Sequence, residues 1–425
     1  MYDNMGEYSR ALSYYEKTLD IRQKSLPPNH PDLATSYNNI GGVYKGMGDN
    51  SRALEFYEKV HKIYEKALPP NHPDLATSYN NIGGVYKDMG DNSEALEFYE
   101  KALKIREKAL PPNHPDLATS YNNIGEVYKD MNDYSKALES YEKALKIREK
   151  ALPLNHSDLA ISYGNIGLVL NNMDDYSKAV EFYKKALKIR EKALPPNHPD
   201  LAISYRNIGL VLNNMGDYSK ALEFYEKAHQ IYEKALPPNH SDLATSYNNI
   251  GGVYKDRGDN SKALEFYEKA LKIREKALPP NHPDLATSYN NIGQVYKDTD
   301  DNSKALEFYE KALKIREKTL PPNHSDLATS YNNIAGVYRD MNDYTKTLQF
   351  LEKAHKIREK ALPPNHPDLA GSYNNIGMTY VGKGDYPKAL SFLEKALVIL
   401  QKSLPPNHPN IKAVTNSIDY VKKKI

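Results

Sequence analysis

Residues 73–114 read PDLATSYNNIGGVYKDMGDNSEALEFYEKALKIREKALPPNH, and close copies of this stretch fill most of the chain. The loop string that ends it carries a histidine that returns every 42 residues, at His30, His72, His114, His156, His198, His240, His282, His324, His366 and His408. Nine steps of 42 residues separate the first of these histidines from the last, so nine complete units occupy residues 31–408. A fixed period of this size is the signature of a repeat architecture.

Each unit is predicted to form two helices. Pro73 and Asp74 suit a first helical turn, because that turn needs no proline N–H and its positive dipole end favours a carboxylate. The apolar residues of LATSYNNIGGVY then recur at helical spacing. Gly90 ends this helix, and Asp91 with Glu94 has the spacing of a capping box for the second one. The second helix covers EALEFYEKALKIREKAL and ends at a Pro-Pro pair.

A single helix pair of this kind cannot bury its apolar face, whereas stacked pairs can share one continuous core. No stretch alternates with period two, so no strand is predicted. The predicted fold is all-α: a right-handed superhelical solenoid of antiparallel helix pairs. Residues 1–30 form a partial N-terminal repeat, 31–408 the nine complete repeats and 409–425 a C-terminal capping helix. The first helix of each pair is shorter than the second, so the first helices are expected to line a concave face.

Composition excludes several classes of function. The 425 residues include no cysteine, which removes disulfides, thiol nucleophiles and cysteine-bound metals. Lys and Arg number 57 against 55 Asp and Glu, and a net charge of +2 argues against binding nucleic acid. No apolar run approaches the roughly 20 residues of a membrane span. The first residues do not resemble a signal peptide. A cytoplasmic protein without nucleic-acid or membrane partners is therefore expected.

No residues are predicted to be catalytic, to bind a cofactor or to hold a metal. A catalytic group should break the repeat, and no break brings a nucleophile and a base together. The periodic histidines cannot share an ion, because packed helices lie about 8–10 Å apart and metal ligands lie about 2 Å from the ion. We expect them to hold the turn before each first helix. His61, His229 and His355 replace a leucine of the second helix and are interpreted as packing variants.

The buried positions of the unit resemble those of the tetratricopeptide repeat. That family places Trp, Leu, Gly, Tyr, Ala, Phe and Ala where this sequence has Tyr79, Ile82, Gly83, Tyr86, Ala95, Tyr99 and Ala102. The 42-residue period, with its KALKIREKAL and NHPDLA strings, is similar to the repeats of kinesin light chains and of nephrocystin-3-like proteins. This resemblance implies a non-catalytic scaffold or cargo adaptor that binds peptide segments of other proteins.

Kinesin light chains also carry a coiled coil that joins them to the motor heavy chain, and this sequence has no heptad segment before its repeats. Association with a microtubule motor, through a kinesin heavy chain complex, would therefore need regions missing here. The sequence is consistent with a truncated array, a fragment or a divergent relative. Three other functions stay open: a nephrocystin-3-like scaffold, the repeat region of a larger signalling or enzymatic protein whose catalytic domain is absent, and an array without a dedicated partner.

Pairs of asparagines recur in the middle of the first helices, where asparagine is only a mediocre helix former. They either hydrogen-bond neighbouring helices or present amides to the backbone of an extended peptide, as the resemblance to kinesin light chains implies. Seven residues after the first asparagine stands a cation that either favours acidic peptides or pairs with aspartates such as Asp88 and Asp130. The predicted peptide-binding residues of this kind are Asn80, Asn81, Lys87, Asn122, Asn123, Lys129, Asn248, Asn249, Lys255, Asn290 and Lys297.

Two adjacent central units depart together from the common pattern. Ile161, Gly164 and Leu168 are spaced by three and four residues, so they share one helical face. The next unit repeats this face with Ile203, Arg206 and Leu210. We expect these residues to form an apolar pocket on the concave face that fixes the register of a bound peptide. The alternative is that one divergent unit was duplicated and drifted.

Overall fold

The computed structural model describes residues 2–425, with side chains from residue 7 onward. The described chain forms twenty α-helices and no strand. The helices are α1 Tyr2–Ser25, α2 Pro31–Gly46, α3 Asn50–Ala67, α4 Pro73–Met89, α5 Asn92–Ala109, α6 Pro115–Asp130, α7 Tyr134–Ala151, α8 Ser157–Asn172, α9 Tyr176–Ala193, α10 Pro199–Asn214, α11 Tyr218–Ala235, α12 Ser241–Asp256, α13 Asn260–Ala277, α14 Pro283–Asp298, α15 Asn302–Thr319, α16 Ser325–Asp340, α17 Tyr344–Ala361, α18 Pro367–Lys383, α19 Tyr386–Ser403 and α20 Pro409–Lys422.

The chain divides into two compact units, residues 1–216 with α1–α10 and residues 217–425 with α11–α20. We call the even-numbered helices A helices and the odd-numbered ones B helices. In each unit, an A helix and the B helix that follows it form an antiparallel pair, and the B helix also packs against the next A helix. The predicted all-α array of antiparallel helix pairs is therefore confirmed.

A histidine begins every A helix. The Nδ1 atom of His72 accepts a hydrogen bond of 3.2 Å from the backbone N–H of Asp74, and the other loop histidines make the same contact. The bond satisfies one of the unpaired N–H groups at the helix start, as an N-cap does. It requires an imidazole whose Nδ1 carries no proton. The prediction that these histidines hold the turn is confirmed.

Most B helices begin with an aspartate cap. Asp133 Oδ1 accepts a hydrogen bond of 3.2 Å from the backbone N–H of Lys136, whose ammonium group lies 2.9 Å from the same carboxylate. Asp91 makes no side-chain cap bond, so the capping box predicted with Glu94 is wrong. At the position of Glu94, the other described B helices carry Lys or Arg. Glu94 instead brings a second carboxylate close to Asp91, and two like charges repel each other.

The shared core lies between consecutive helices. Tyr99 of α5 packs against Ile124 of α6, and its ring also lies on Gly83 of α4. A Cβ atom at position 83 would lie 3.0 Å from that ring, so the close approach requires glycine. The B-helix tyrosine is replaced by Leu351 in α17, and the matching glycine is then Ala335. Leucine also replaces the tyrosine at Leu393, where Gly377 is kept and a Cβ atom would lie 2.9 Å from the leucine side chain.

Two tyrosines of the predicted apolar stripe lie at the edge of this core. Tyr79 and Tyr86 are only half-buried, and their ring centroids lie 6.0 and 5.4 Å from that of Phe98. The ammonium group of Lys101 lies 5.0 Å from the centre of the Phe98 ring, within the range of a cation–π contact. The aromatic cluster therefore closes the core on one side with polarizable rings and a cation.

Candidate functional site

The asparagines form a ladder that crosses from one A helix to the next. Asn81 Nδ2 donates to Asn38 Oδ1 at 2.9 Å, and Asn123 Nδ2 donates to Asn80 Oδ1 at 2.9 Å. The same bond, at 2.9–3.0 Å, joins Asn165 to Asn122, Asn291 to Asn248 and Asn333 to Asn290. Hydrogen bonding between neighbouring helices thus accounts for these mid-helix asparagines.

The ladder leaves part of each amide unused. A carboxamide has two N–H donors and an acceptor oxygen, and one ladder bond uses one donor of one residue and one oxygen of the other. The paired side chains, and Asn249 on the same face of α12, are half-buried and therefore still reach solvent. We call this surface of the A helices the amide face. A ligand-binding role for it stays a prediction, now with amides held in fixed orientations.

The cations beside the asparagines have carboxylate partners. Lys45 lies 3.3 Å from Asp88, and Lys87 forms an ion pair with Glu126. The remaining pairs are Lys129 with Asp130 at 3.2 Å, Lys255 with Asp256 at 4.0 Å, Lys297 with Asp340 at 3.3 Å and Arg339 with Asp340 at 3.8 Å. The pairing with acidic neighbours considered from the sequence is therefore present. These cations are largely neutralised, so they give only weak attraction for an acidic ligand.

An arginine that the sequence analysis did not single out lies beneath the amide face. Arg106 of α5 is 7% exposed, and its Nη1 donates to the hydroxyl oxygen of Ser120 in α6 at 2.7 Å. We call this bond the arginine–serine contact. It recurs at 2.7–2.9 Å in Arg22–Ser36, Arg148–Ser162, Arg190–Ser204, Arg274–Ser288, Arg316–Ser330 and Arg358–Ser372. The constant 14-residue separation of Arg and Ser was the signal that could have revealed it.

Two of the three B-helix histidines replace this arginine as a donor. Tyr64 stands where the arginine would be, and the ring Nδ1 of His61 lies 3.0 Å from the Ser78 hydroxyl oxygen. Ser78 donates its own proton to a backbone carbonyl, so the imidazole supplies the N–H. His229 contacts Ser246 in the same way at 2.8 Å. These two are hydrogen-bonding residues, which corrects the prediction that they are only packing variants.

His355 shows the opposite case. Arg358 is retained in the same helix and donates to Ser372 at 2.8 Å, so the serine already has its donor. The Nδ1 atom of His355 is buried and has no hydrogen-bond partner among the described residues. Burial lowers the pKa of this histidine below its usual 6.5, because the charged ring would lose its hydration. The third histidine is therefore a packing variant, as predicted.

The residues predicted to form an apolar pocket line a single groove between α8 and α10. The groove has a volume of about 270 Å³ and is lined by Ile161, Gly164, Asn165, Leu168, Tyr183, Ala186, Arg190, Ile203, Ser204, Arg206, Asn207 and Leu210. Ile161, Leu168 and Leu210 are 44%, 36% and 42% exposed, which is high for large apolar side chains. We call it the leucine groove. The structure thus brings together all six of the divergent residues.

The leucine groove also contains two guanidinium groups. Arg190 donates to Ser204, and Arg206 makes a long contact of 3.4 Å with Asn207. Among the described residues, neither has a carboxylate within ion-pair distance. Burial lowers the pKa of Arg190, but the guanidinium group keeps its charge because an arginine pKa ordinarily lies far above neutral pH. Unlike the lysines beside the asparagines, Arg206 has no carboxylate within ion-pair distance among the described residues.

Gly164 explains why Arg190 is open to the groove. In the other compact unit, the corresponding asparagine is Asn332, whose amide oxygen, in the orientation that satisfies both groups, accepts from Arg358 Nη2 at 2.7 Å. Position 164 has no side chain, and nothing lies within 4 Å of where its Cβ would be. Glycine at position 164 therefore leaves open space beside Arg190.

No helix of the described residues combines the length and apolar character that crossing a membrane requires. Within the same part of the chain, no three His, Asp or Glu side chains gather as metal ligands would. Every sequence-predicted site residue lies on an A helix, and they separate into the amide face and the leucine groove.

Solved structures with similar folds include the tetratricopeptide repeat sensor protein of the signal transduction ATPase class from Pyrococcus horikoshii. It is 17% identical, with a TM-score of 0.58, over 94% of this chain and 56% of that one. The apo form of RapI is 18% identical, with a TM-score of 0.53, over 67% of this chain and 98% of that one. A kinesin light chain-type repeat protein described as from Podosopora anserina is 24% identical, with a TM-score of 0.44, over 48% of this chain and 98% of that one.

A comparison with curated proteins finds no match to the sequence. The family model described as the tetratricopeptide repeat matches five segments, residues 1–66, 69–150, 158–234, 242–318 and 326–402. These segments cover most of the chain, and their pattern agrees with the helix pairs, the glycine–tyrosine contacts and the stacked core of both compact units. The chain belongs to the tetratricopeptide repeat family.

Proposed function

We propose that this protein is a non-catalytic scaffold that binds an extended segment of a partner protein along the amide face, anchored in the leucine groove. The observation that carries the proposal is the groove itself, where exposed apolar side chains surround two guanidinium groups that have no carboxylate within ion-pair distance in the described part of the chain. Its expected ligand is a segment with one large apolar side chain and a carboxylate close to it.

The groove gives a repetitive surface a defined register. Identical rungs of amides would hold a peptide backbone equally well in several positions, each one repeat apart. Placing an apolar side chain against Leu168 and Leu210 removes about 100 Å² of apolar surface from water, worth roughly 2.5 kcal/mol. A difference of this size is close to a hundredfold in affinity, so one position would be favoured over the others.

Arg206 and Arg190 add selectivity for charge. A carboxylate brought to the groove would meet guanidinium groups with no carboxylate within ion-pair distance among the described residues, and such charge-assisted hydrogen bonds are stronger than neutral ones. The paired lysines elsewhere on the amide face would first have to leave their own carboxylates. The proposed preference for acidic segments therefore depends mainly on the leucine groove.

The test uses substitutions that the chain itself supplies. Leu168→Gln and Leu210→Gln give the residue found at Gln294, and Arg206→Asn restores the common asparagine. A displayed library of extended peptides is selected on the natural protein and then on the triple variant, after circular dichroism has shown that the variant is helical. We expect the selected peptides to carry a large apolar residue beside Asp or Glu and to lose binding more than tenfold on the variant. Equal binding to both proteins would refute the groove as the anchor.

We further propose a cytoplasmic cargo-adaptor role of the kinesin light chain type, with a nephrocystin-3-like scaffold as the competing assignment. Its support is the 42-residue period with its KALKIREKAL and NHPDLA strings. The discriminating experiment is co-purification of the full-length product with kinesin heavy chain from its own cells. Recovery of the heavy chain would support the adaptor, and its absence from a preparation that retains the peptide ligand would favour the scaffold.

A further inference from the structure

A second cleft lies in the first compact unit, away from the amide face, where the loop before α8 meets α9. Its volume is about 580 Å³, and it is lined by Leu154, Asn155, Leu159, Tyr163, Lys185, Lys188, Ile189 and Lys192. Leu154 is 84% exposed, the highest value among the large apolar side chains that stand out on the surface. We call this site the loop cleft.

The preceding repeat shows what is unusual about the loop cleft. The corresponding cleft there is lined by Glu107, Leu110, Pro112, Leu117, Tyr121, Lys143, Lys146 and Ile147, and its volume is about 350 Å³. Leu154 stands where that cleft has Pro112, as the sequence LPLNH replaces LPPNH at this repeat alone. The exchange converts a rigid loop residue into a flexible apolar side chain that points to solvent.

The helix beside the loop cleft also differs in charge from its counterpart in the preceding repeat. Lys184 occupies the position of Glu142 in α7, so α9 carries six basic and two acidic side chains, against five and three in α7. Lys184, Lys185, Lys188 and Lys192 are all exposed. Lys185 lies 3.1 Å from Glu181, whereas Lys188 and Lys192 have no carboxylate within 4 Å among the described residues.

We propose that the loop cleft is a second docking site, which binds an acidic amphipathic helix of a partner protein. Lys185, Lys188 and Lys192 follow one another at i, i+3 and i+7, so they form a row about 10 Å long on one side of α9. A partner helix has the same rise per residue, so acidic side chains at the same spacing meet this row in register.

The apolar lining supplies the other half of the recognition. Leu154, Leu159 and Ile189 form the apolar part of the cleft, and the partner's leucines at i, i+3 and i+4 would pack on it. The Tyr163 hydroxyl donates to Glu149 at 2.8 Å, and Glu181 lies 3.1 Å from Lys185, so both of these carboxylates beside the cleft already have partners. A leucine-and-glutamate helix matches both the apolar surface and the excess of positive charge.

The probe is a synthetic amphipathic helix of about four turns, with leucines on one face and glutamates flanking them. Its affinity for the full chain is measured by fluorescence anisotropy at low and moderate salt. Leu154→Pro with Lys184→Glu restores the residues of the preceding repeat and is expected to fold normally. We expect the double variant to bind at least about tenfold more weakly and with a smaller dependence on salt.

The reciprocal variant is the matched control. Pro112→Leu with Glu142→Lys copies the loop cleft into the preceding repeat, and the number of bound peptides per chain should rise from one to two. A peptide with lysine in place of glutamate should not bind. Equal binding by Leu154→Pro/Lys184→Glu and the natural protein, or stronger binding to anionic vesicles than to the acidic peptide, would overturn the proposal.

Discussion

Replacing Arg148 by tyrosine tests whether the arginine–serine contact stabilises the stacking of successive helix pairs. Arg148 of α7 is 9% exposed and donates to Ser162, whose side chain is 1% exposed, at 2.7 Å. Without this donor, the buried hydroxyl oxygen of Ser162 loses its partner. An unsatisfied buried polar group costs about 1–3 kcal/mol, so Arg148→Tyr should lower the free energy of unfolding by that amount.

The chain also indicates how to restore the contact. Leu145→His together with Arg148→Tyr recreates the arrangement of His229 and Tyr232, in which an imidazole donates to the serine. Leu145→His alone recreates His355, whose Nδ1 is buried without a partner, and should also be destabilising. The double variant should therefore be more stable than the sum of the two single changes, by about 1–2 kcal/mol in a double-mutant cycle.

Urea unfolding followed by circular dichroism gives the three free energies, and amide hydrogen exchange in α7 and α8 shows where stability is lost. Stacked repeats unfold with nearest-neighbour coupling, so local exchange is the more direct measurement. Strict additivity of the single changes, with no recovery of exchange protection in the double variant, would show that the serine does not need a donor and would refute the argument.

Three further predictions follow from the contacts described. His355→Leu should increase stability most at low pH. The pKa of His355 is lower in the folded chain than its usual 6.5 in the unfolded chain, so the unfolded chain is protonated first. The stability of the natural protein therefore falls as the pH drops below about 6.5, and the variant lacks this loss. Unfolding of both proteins at pH 7 and pH 5 measures this, and a pH-independent difference would contradict it. His114→Ala removes the N-cap of α6 and should cost about 1 kcal/mol, visible as faster amide exchange in the first turn of α6. Gly125→Ala should be destabilising, because a Cβ there lies 2.9 Å from the Tyr141 ring, and adding Tyr141→Leu should relieve part of the cost in a double-mutant cycle.

The helix pairs could be predicted from the sequence because the information is local. The spacing of apolar residues, the Pro-Asp start, the loop histidine and the Pro-Pro end all act within one repeat. The leucine groove could be predicted as well, since Ile161 and Leu168 share one helical face and Ile203 and Leu210 repeat it. Whether any ligand binds there is a separate matter, because the sequence states no partner.

Contacts between repeats were harder to predict. Arg106 looks like an exposed cation in the string KIREK, and only its position against the next helix shows that it is buried with Ser120. The sequence left open whether the lysines beside the asparagines pair with aspartates, and the structure shows that Lys45 reaches Asp88 of the following A helix. Long polar side chains can extend in several directions, so sequence spacing alone does not determine which neighbour they meet.

The arginine–serine contact has a consequence for how such a chain can change in length. Its donor belongs to one repeat and its acceptor to the next, always 14 residues apart, so recombination in register between two repeats restores the same bonds at the new junction. A histidine–tyrosine repeat can join there too, because it offers a donor to the same serine. Unequal exchange between gene copies can therefore add or remove 42 residues without leaving a buried hydroxyl unmatched. The leucine groove does not share this freedom, since it exists only where the Gly164 repeat is followed directly by the Arg206 repeat.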